Sequence, residues 1–302
     1  MSKNFERLLF VGVALLTFFS VNKLGTFSFL APEAPTVATT NLVEVPSVAG
    51  VSTDTDPEIL TFAPQTPTRE VSWPEIDEAL IATPPASVSS VSGQFKIALF
   101  GDSMIDTMGD LSLLHASLKN RFPSASFTLY NYGIGGQTVD EGLARFSTPF
   151  SYQGRTYPAL SGLRPDIIIL GSFAYNLKFP YDRNTHWQTF AALVETAQKA
   201  SPNVYILAEI APLYDNFASG TTDRITLTRR EHARMVKEQL ENAIGIAATM
   251  KVPLINVYSL TKDSTGFGSY EYTRRDDGIR PNTVGHLLTA PTIAEQLSLK
   301  PK

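Results

Sequence analysis

From Lys96 onward the chain alternates short apolar runs with longer amphipathic stretches. The apolar runs are rich in β-branched residues and apolar on both faces, which predicts central strands of a parallel sheet. The stretches between them carry apolar residues at helical spacing, as in Trp187, Phe190 and Val194. The alternation therefore predicts an α/β fold, a flavodoxin-like three-layer sandwich with a five-stranded parallel sheet. The five predicted strands cover residues 96–100, 126–132, 166–172, 203–210 and 253–258.

Two helix starts are marked by capping residues. Thr228 and Glu231 have the spacing of a capping box, in which each side chain bonds the other's backbone N–H. The last helix is predicted to begin near Asn282 and to run to about Leu297. In a parallel α/β sheet, ligands bind outside the carboxyl ends of the strands. The segments that follow residues 100, 132, 172, 210 and 258 are therefore the candidate site region.

Residues 1–30 have a basic head and an apolar run. Lys3 and Arg7 precede a run from Leu8 to Val21 that carries no charged residue. This pattern is typical of a secretory signal peptide, or of an uncleaved anchor if the apolar residues after Lys23 extend it. Under either interpretation the positive head stays inside and the remainder is exported. We therefore expect a domain outside the cytoplasm, either tethered to the membrane or secreted.

Residues 31–94 differ in composition from the rest of the chain. Nine of the twenty prolines lie there, and residues 24–95 carry nine acidic residues and one basic residue, a net charge of −8. Such a stretch predicts an extended, acidic linker that has no core of its own. Residues 95–302 form the predicted folded domain. From residue 96 on, 21 basic and 19 acidic residues nearly cancel, which argues against a nucleic-acid partner.

The absence of cysteine excludes disulfides, thiolate catalysis and cysteine metal sites. No His-x-x-x-His spacing and no cluster of carboxylates suggests another metal site. We therefore expect neither a metal nor a cofactor.

Three motifs lie at predicted strand ends or near the C-terminus. Gly-Asp-Ser ends the first strand at residues 101–103, and Asn-x-Gly-x-x-Gly-x-Thr spans residues 131–138. The third, Asp-Gly-Ile-Arg-Pro-Asn-x-x-Gly-His, spans residues 277–286. Over roughly residues 95–300 this arrangement resembles the SGNH (GDSL-type) hydrolase family.

The resemblance implies a role for several of these residues. Ser103 would be the nucleophile, and its backbone N–H would help bind the oxyanion of acyl transfer. Gly136 would supply a second backbone N–H. The family's third block, Gly-x-Asn-Asp, is replaced here by Gly-Ser-Phe-Ala at residues 171–174, so the side-chain donor is assigned to Asn176.

The family's catalytic histidine position, three residues after Asp277, holds Arg280. A guanidinium is not deprotonated in a protein and cannot act as a general base. Among the four histidines, His286 is our candidate base, with Asp277 or Asp276 orienting its ring. If His286 does not serve, we expect Arg280 to pair with Asp276 or Asp277, or to bind an anionic group of a ligand. The alternatives are His232, or a site without a working base. The remaining histidines, His115 and His186, have sufficient structural explanations.

The predicted function is that of an exported serine esterase or deacylase. It would act through an acyl-serine intermediate on a small acyl ester, such as an O-acylated envelope carbohydrate. An O-acyltransferase uses the same intermediate and remains an alternative. A non-catalytic binding module of the same fold, which has lost its base, is the second alternative.

Overall fold

The computed structural model describes residues 89–218 and 228–300. Seven strands and eight helices lie in this part of the chain. The strands are β1 (Gly93–Gly101), β2 (Ala125–Gly133), β3 (Phe150–Tyr152), β4 (Arg155–Tyr157), β5 (Ile167–Gly171), β6 (Asn203–Ala208) and β7 (Leu254–Asn256). The helices are α1 (Ser103–Asp106), α2 (Ser112–Arg121), α3 (Val139–Arg145), α4 (Leu160–Leu163), α5 (Arg183–Ala200), α6 (Arg229–Met250), α7 (Val257–Thr261) and α8 (Thr283–Gln296).

Five strands form one parallel sheet in the order β2-β1-β5-β6-β7. All five predicted strands are confirmed, with bounds that differ by a few residues. The strand order reverses at β1, because β2 lies on one side of it and β5 on the other. Ligand sites of open α/β sheets lie at such a switch point, outside the carboxyl ends of the strands. The residues that follow β1 therefore occupy the most favourable position for a site.

The sheet separates two apolar cores, because side chains alternate between its faces along each strand. Ile97 and Leu99 belong to one core, and Ala98 and Phe100 to the other. Helices α2 and α8 pack against each other and contribute to the first core, whereas α5 contributes to the second. The predicted three-layer sandwich is confirmed.

The predicted helix starts are also observed. Thr228 and Glu231 form the capping box that begins α6. Asn282 is the N-cap of α8, and its side chain accepts a hydrogen bond from Gly285 N. These caps satisfy backbone N–H groups that have no partner within the helix.

An antiparallel hairpin of β3 and β4 was not predicted from the sequence. Its strands are three residues long, too short to show an alternating pattern. Gln153 and Gly154 form the turn with φ values of 49° and 74°, as a tight hairpin turn requires.

The predicted N-terminal anchor, residues 1–30, and most of the predicted linker, residues 31–94, lie outside the described residues. β1 begins at Gly93, two residues before the predicted start of the folded domain. Across residues 89–218 and 228–300, none of the helices has the length and apolar character needed to span a membrane.

Candidate active site

Ser103 is the first residue of α1 and follows β1 after a single residue, Asp102. Asp102 is fully buried and caps α1 by accepting a hydrogen bond from Met104 N at 2.9 Å. Ser103 is 7% exposed. The serine thus stands at the carboxyl edge of the sheet, at the switch point between β2 and β5.

Glycines allow α1 to approach the ends of the strands. A Cβ on Gly133 would lie 2.1 Å from the backbone N of Asp106, and one on Gly101 would lie 2.4 Å from Ile105 Cγ1. Real Cβ atoms do not come this close to other heavy atoms, so only glycine permits this packing. The helix that begins with Ser103 is thereby held against the end of β2, where the glycine-rich turn starts.

Gly136 lies on that turn with φ +81°, a conformation that favours glycine. The N–H groups of Gly133 and Gly135 are bonded to Asn131 Oδ1 at 2.9 Å and to the Tyr152 hydroxyl at 3.1 Å. Gly136 N–H, which is exposed, makes no hydrogen bond to any residue of the described part of the chain. The structure therefore leaves a backbone donor open at the position predicted for an oxyanion group.

The third block departs from the family pattern in a definite way. Phe173, at the position of the family's asparagine, has φ +56° and is fully buried against Phe100, with ring centroids 5.9 Å apart. Asn176 instead reaches the site, because its Nδ2 donates to Asp102 Oδ2 at 2.8 Å. This places Asn176 beside the residue that precedes the nucleophile candidate. Its role as an oxyanion donor remains a prediction.

Two buried carboxyl groups, Asp102 and Glu209, are neighbours at the carboxyl ends of β1 and β6. Glu209 follows β6 and accepts hydrogen bonds from Ser172 N at 3.0 Å and from Ser172 Oγ. Burial, and after it the neighbouring Asp102, raise the pKa of Glu209 to about 8. Burial also raises the pKa of Asp102 to about 6, against hydrogen bonds that lower it. None of the sequence motifs includes Glu209, although an acidic residue within the apolar run 203–210 is itself a signal of a buried carboxyl.

Arg145 is a second site residue that the motifs do not include. Its Nη2 donates to the carbonyls of Gly101 at 2.9 Å and Tyr132 at 2.8 Å, which ties the ends of β1 and β2 together. Its guanidinium lies over the Phe100 ring, 4.0 Å from the centroid. Burial lowers the pKa of Arg145 to about 10, so it stays charged at neutral pH. An arginine within a helix gives no distinct sequence signal.

The Asp277 carboxylate accepts hydrogen bonds from residues of its own loop. Its Oδ1 accepts hydrogen bonds from Ile279 N at 2.8 Å and Arg280 N at 3.1 Å, and its Oδ2 accepts one from Arg280 Nη1 at 3.0 Å. The Arg280 side chain is 44% exposed. Burial raises the pKa of Asp106, the last residue of α1, and the Tyr152 hydrogen bond and then the charge of Arg280 oppose that rise.

His286 lies in α8 and is 9% exposed. Its ring borders a small cavity that Met108 and Leu111 also line, in the segment after α1. No hydrogen bond joins this ring to Ser103 or Asp277 in the described residues. Burial and the positive charge of Arg274 lower the pKa of His286 to about 4, so the ring is neutral at neutral pH. Its role as a base, and that of Asp277 as its partner, remain predictions.

The other three histidines differ in their burial and in their contacts. His186 is buried, and its Nε2 lies 3.1 Å from the Ser172 carbonyl, which fixes the tautomer with a proton on Nε2. The His232 ring packs against Phe217, and burial lowers its pKa. His115 is exposed on α2. No cluster of three or more potential metal ligands occurs where the structure describes the chain.

No family model and no curated protein sequence matches the chain. It is similar to solved structures that include a lipase/acylhydrolase from Enterococcus faecalis, with 19% identity, 66% of this chain and 93% of that chain covered, and a TM-score of 0.49. A GDSL-like lipase from Bacteroides thetaiotaomicron shares 16% identity over 66% of this chain and 85% of its own, with a TM-score of 0.46. An acetylxylan esterase from Geobacillus stearothermophilus, a catalytic mutant, shares 14% identity over 69% and 96%, with a TM-score of 0.49.

Proposed function

We propose that the protein is a serine esterase or deacylase that forms an acyl-serine intermediate on Ser103. The observation that carries the proposal is the position of Ser103 at the switch point, on a helix packed against a turn whose Gly136 N–H is open. Backbone N–H groups preorganised in this way stabilise the tetrahedral oxyanion that forms when a serine attacks an ester. Asn176, which bonds Asp102, would add a side-chain donor.

The base in this proposal is His286. A neutral imidazole is able to accept the serine proton, although a pKa of about 4 makes it a weak base at neutral pH. The substrate would be a small acyl ester, and we propose an O-acylated envelope carbohydrate. Transfer of the acyl group to a sugar hydroxyl instead of water would use the same intermediate.

A fluorophosphonate probe tests the proposal because it labels only activated serines. The full-length chain in detergent should be labelled, and Ser103→Ala should abolish the label. Ser124→Ala, at an exposed position just before β2, is the matched control and should label like wild type. Labelling lost in His286→Ala but retained in His232→Ala would identify the base. Equal labelling of wild type and Ser103→Ala would overturn the proposal.

A non-catalytic binding module is the second candidate, and the Asp277–Arg280 ion pair favours it. The carboxylate that would orient a histidine is occupied by a group that cannot take a proton. In this case the cleft would bind an ester or its parent sugar without turnover. Absence of any Ser103-dependent label, together with ligand binding to the folded protein, would select this function.

We also propose that the domain acts outside the cytoplasm. The support is the basic head with Lys3 and Arg7 before the apolar run from Leu8 to Val21. Residues 1–94 fused to alkaline phosphatase should give active phosphatase in a bacterial host, because this enzyme folds only after export. An expressed but inactive fusion would contradict export.

A further inference from the structure

The β3–β4 hairpin reaches the candidate active site through Tyr152, the last residue of β3. The Tyr152 hydroxyl accepts a hydrogen bond from Gly135 N at 3.1 Å and donates one to Asp106 Oδ2 at 3.0 Å. It also accepts one from Gln153 Nε2 at 3.0 Å. One hydroxyl therefore connects the hairpin, the glycine-rich turn after β2 and the helix α1 that begins with Ser103.

The turn that carries Gly136 depends on hydrogen bonds of this kind. Glycines occupy positions 133, 135 and 136, and a glycine backbone can adopt more conformations than that of any other residue. The three N–H groups that precede Gly136 N–H are all bonded: Gly133 N to Asn131 Oδ1 at 2.9 Å, Ile134 N to the Gly101 carbonyl at 3.2 Å, and Gly135 N to the Tyr152 hydroxyl. These bonds fix the backbone up to the residue whose own N–H is open.

The three acceptors differ in what a substitution can remove. The Gly101 carbonyl belongs to the backbone and is kept in every variant. The Asn131 side chain also donates to the carbonyls of Ile105 at 3.0 Å and Gly109 at 2.8 Å, so its loss would disturb the segment around α1 as well. The Tyr152 hydroxyl can be removed alone, because phenylalanine keeps the ring in place.

Asp106 orients the Tyr152 hydroxyl toward the turn. A carboxylate only accepts hydrogen bonds and a backbone N–H only donates, so the single phenol proton points at Asp106 and the oxygen lone pairs face Gly135 N–H. A Cβ on Gly135 would lie 3.1 Å from the hydroxyl oxygen and 3.4 Å from Asp106 Oδ2. The turn therefore lies directly against this pair of side chains.

We propose that Tyr152 is a positioning residue for the reaction at Ser103. Its hydroxyl, oriented by Asp106, holds the glycine-rich turn in the conformation that aims Gly136 N–H at the oxyanion. The role in catalysis rests on the proposed esterase function, whereas the fixing of the turn does not. The oxyanion is absent from the bound ester, so a misaligned donor lowers kcat and leaves KM nearly unchanged.

Steady-state hydrolysis of 1-naphthyl acetate by the full-length chain in detergent tests this role. Loss of a whole oxyanion donor lowers kcat by about 10²- to 10³-fold, and misalignment of a donor should lower it less. We expect Tyr152→Phe to lower kcat about tenfold, with KM within about twofold of wild type. Tyr157→Phe on β4 is the matched control and should keep both constants, because the Tyr157 hydroxyl makes no hydrogen bond to any described residue.

Inhibition by phenylboronic acid gives a second readout, which a purely structural role would not change in this way. The serine oxygen attacks the boron and forms a tetrahedral, anionic boronate that resembles the intermediate of acyl transfer. Its Ki should rise about tenfold in Tyr152→Phe, in parallel with the fall in kcat, because the adduct needs the aligned donor. An unchanged Ki, or a change in KM as large as that in kcat, would overturn the positioning role.

Variants of Asp106 test the connection itself. Asp106→Asn keeps an acceptor oxygen for the Tyr152 hydroxyl and should retain most of the activity, whereas Asp106→Ala should lower kcat as Tyr152→Phe does. These two variants keep the proposal testable if Tyr152→Phe proves unstable. The double variant Tyr152→Phe/Asp106→Ala should be no slower than the slower single variant, because both changes break one connection. Losses that multiply in the double variant would show that the two side chains act separately, against the proposal.

Amide hydrogen exchange separates this inference from the proposed function, because it requires no catalysis. Peptides that cover residues 133–138 should exchange faster in Tyr152→Phe than in wild type or Tyr157→Phe, since Gly135 N–H loses its acceptor. If no ester is hydrolysed but this difference is present, Tyr152 fixes the turn and the esterase proposal fails. If hydrolysis depends on Ser103 and Tyr152→Phe leaves kcat unchanged, the esterase stands and the positioning role fails, whatever the exchange shows.

Discussion

The Ser103 segment and the segment from Asp277 to His286 are built in different ways. Around Ser103, backbone packing does the positioning: α1 is pressed against β2 at Gly133, and the open N–H of Gly136 lies on the next turn. In the C-terminal segment, an ion pair with Arg280 occupies the Asp277 carboxylate. Acyl transfer needs fixed donors and a group that titrates. The first segment offers an open backbone N–H, whereas the second holds a permanent charge three residues after Asp277.

Introducing an imidazole at the second segment gives the largest expected effect. In Arg280→His, the ring would stand three residues after Asp277, whose Oδ2 loses its guanidinium partner and becomes free to orient it. A positioned general base accelerates such a step by about 10³-fold. We expect fluorophosphonate labelling of Ser103 to become faster by about this factor, measured as the second-order rate constant.

Arg280→Gln is the control for loss of the charge alone. It breaks the same ion pair but supplies no base, so its labelling rate should stay within a few-fold of wild type. If Arg280→His labels no faster than Arg280→Gln, the 277–280 loop does not face the serine. The contrast between the two segments would then no longer explain how the site works.

Replacing Gly133 is expected to give the next largest effect, and it tests how α1 is packed in the Ser103 segment. In Gly133→Ala, the added Cβ would meet the Asp106 backbone N at 2.1 Å, and a backbone atom has no alternative rotamer. We expect the free energy of unfolding to fall by about 3 kcal/mol, measured by chemical denaturation. Labelling at Ser103 should fall as well, because α1 has to shift.

Gly162→Ala is the matched control for this prediction. Gly162 lies in α4 with no heavy atom within 4 Å of its Cβ position. Alanine is favoured over glycine in a helix, so this variant should be as stable as wild type or slightly more stable. Equal losses at the two positions would show that helix α1 does not depend on the Gly133 contact.

The fold could be predicted because its strands and helices have local patterns in the sequence. Runs such as 166–172 are apolar throughout, and the Thr228 capping box marks a helix start within the chain itself. The β3–β4 hairpin could not be predicted in this way. Its three-residue strands are stabilised by packing such as Phe150 on Tyr157, with ring centroids 4.7 Å apart. That contact has no periodic signal in the sequence.

The site was predictable only where a motif and a strand end coincide. Ser103 and Gly136 meet this condition, and the structure places both at the carboxyl edge of the sheet. Glu209 and Arg145 act through burial and through bonds to distant backbone groups, which a linear motif does not encode. The sequence predicted that Arg280 could pair with Asp276 or Asp277, and only the geometry shows that its partner is Asp277.

The smallest of the three expected effects is a change in the pH dependence of stability when Glu209 is replaced. Its pKa rises from 4.5 to about 8 on folding, chiefly through burial and then through Asp102. A group with a raised folded-state pKa contributes stability that is complete below its unfolded value and is lost as the pH rises through its folded value. Wild type should therefore lose stability between about pH 5 and pH 9 through this carboxyl.

Glu209→Gln removes that titration and keeps the two hydrogen bonds, since its amide oxygen accepts from Ser172 N and its NH₂ donates to Ser172 Oγ. Between pH 5 and pH 9 its free energy of unfolding should fall by about 2 kcal/mol less than that of wild type, measured by urea denaturation at each pH. Glu195→Gln, at an exposed position on α5, should follow wild type. Parallel pH profiles for wild type and Glu209→Gln would mean that Glu209 stays ionised beside Asp102, the residue that precedes Ser103. In that case a fixed negative charge near the candidate site would oppose the oxyanion that the open N–H of Gly136 is proposed to stabilise.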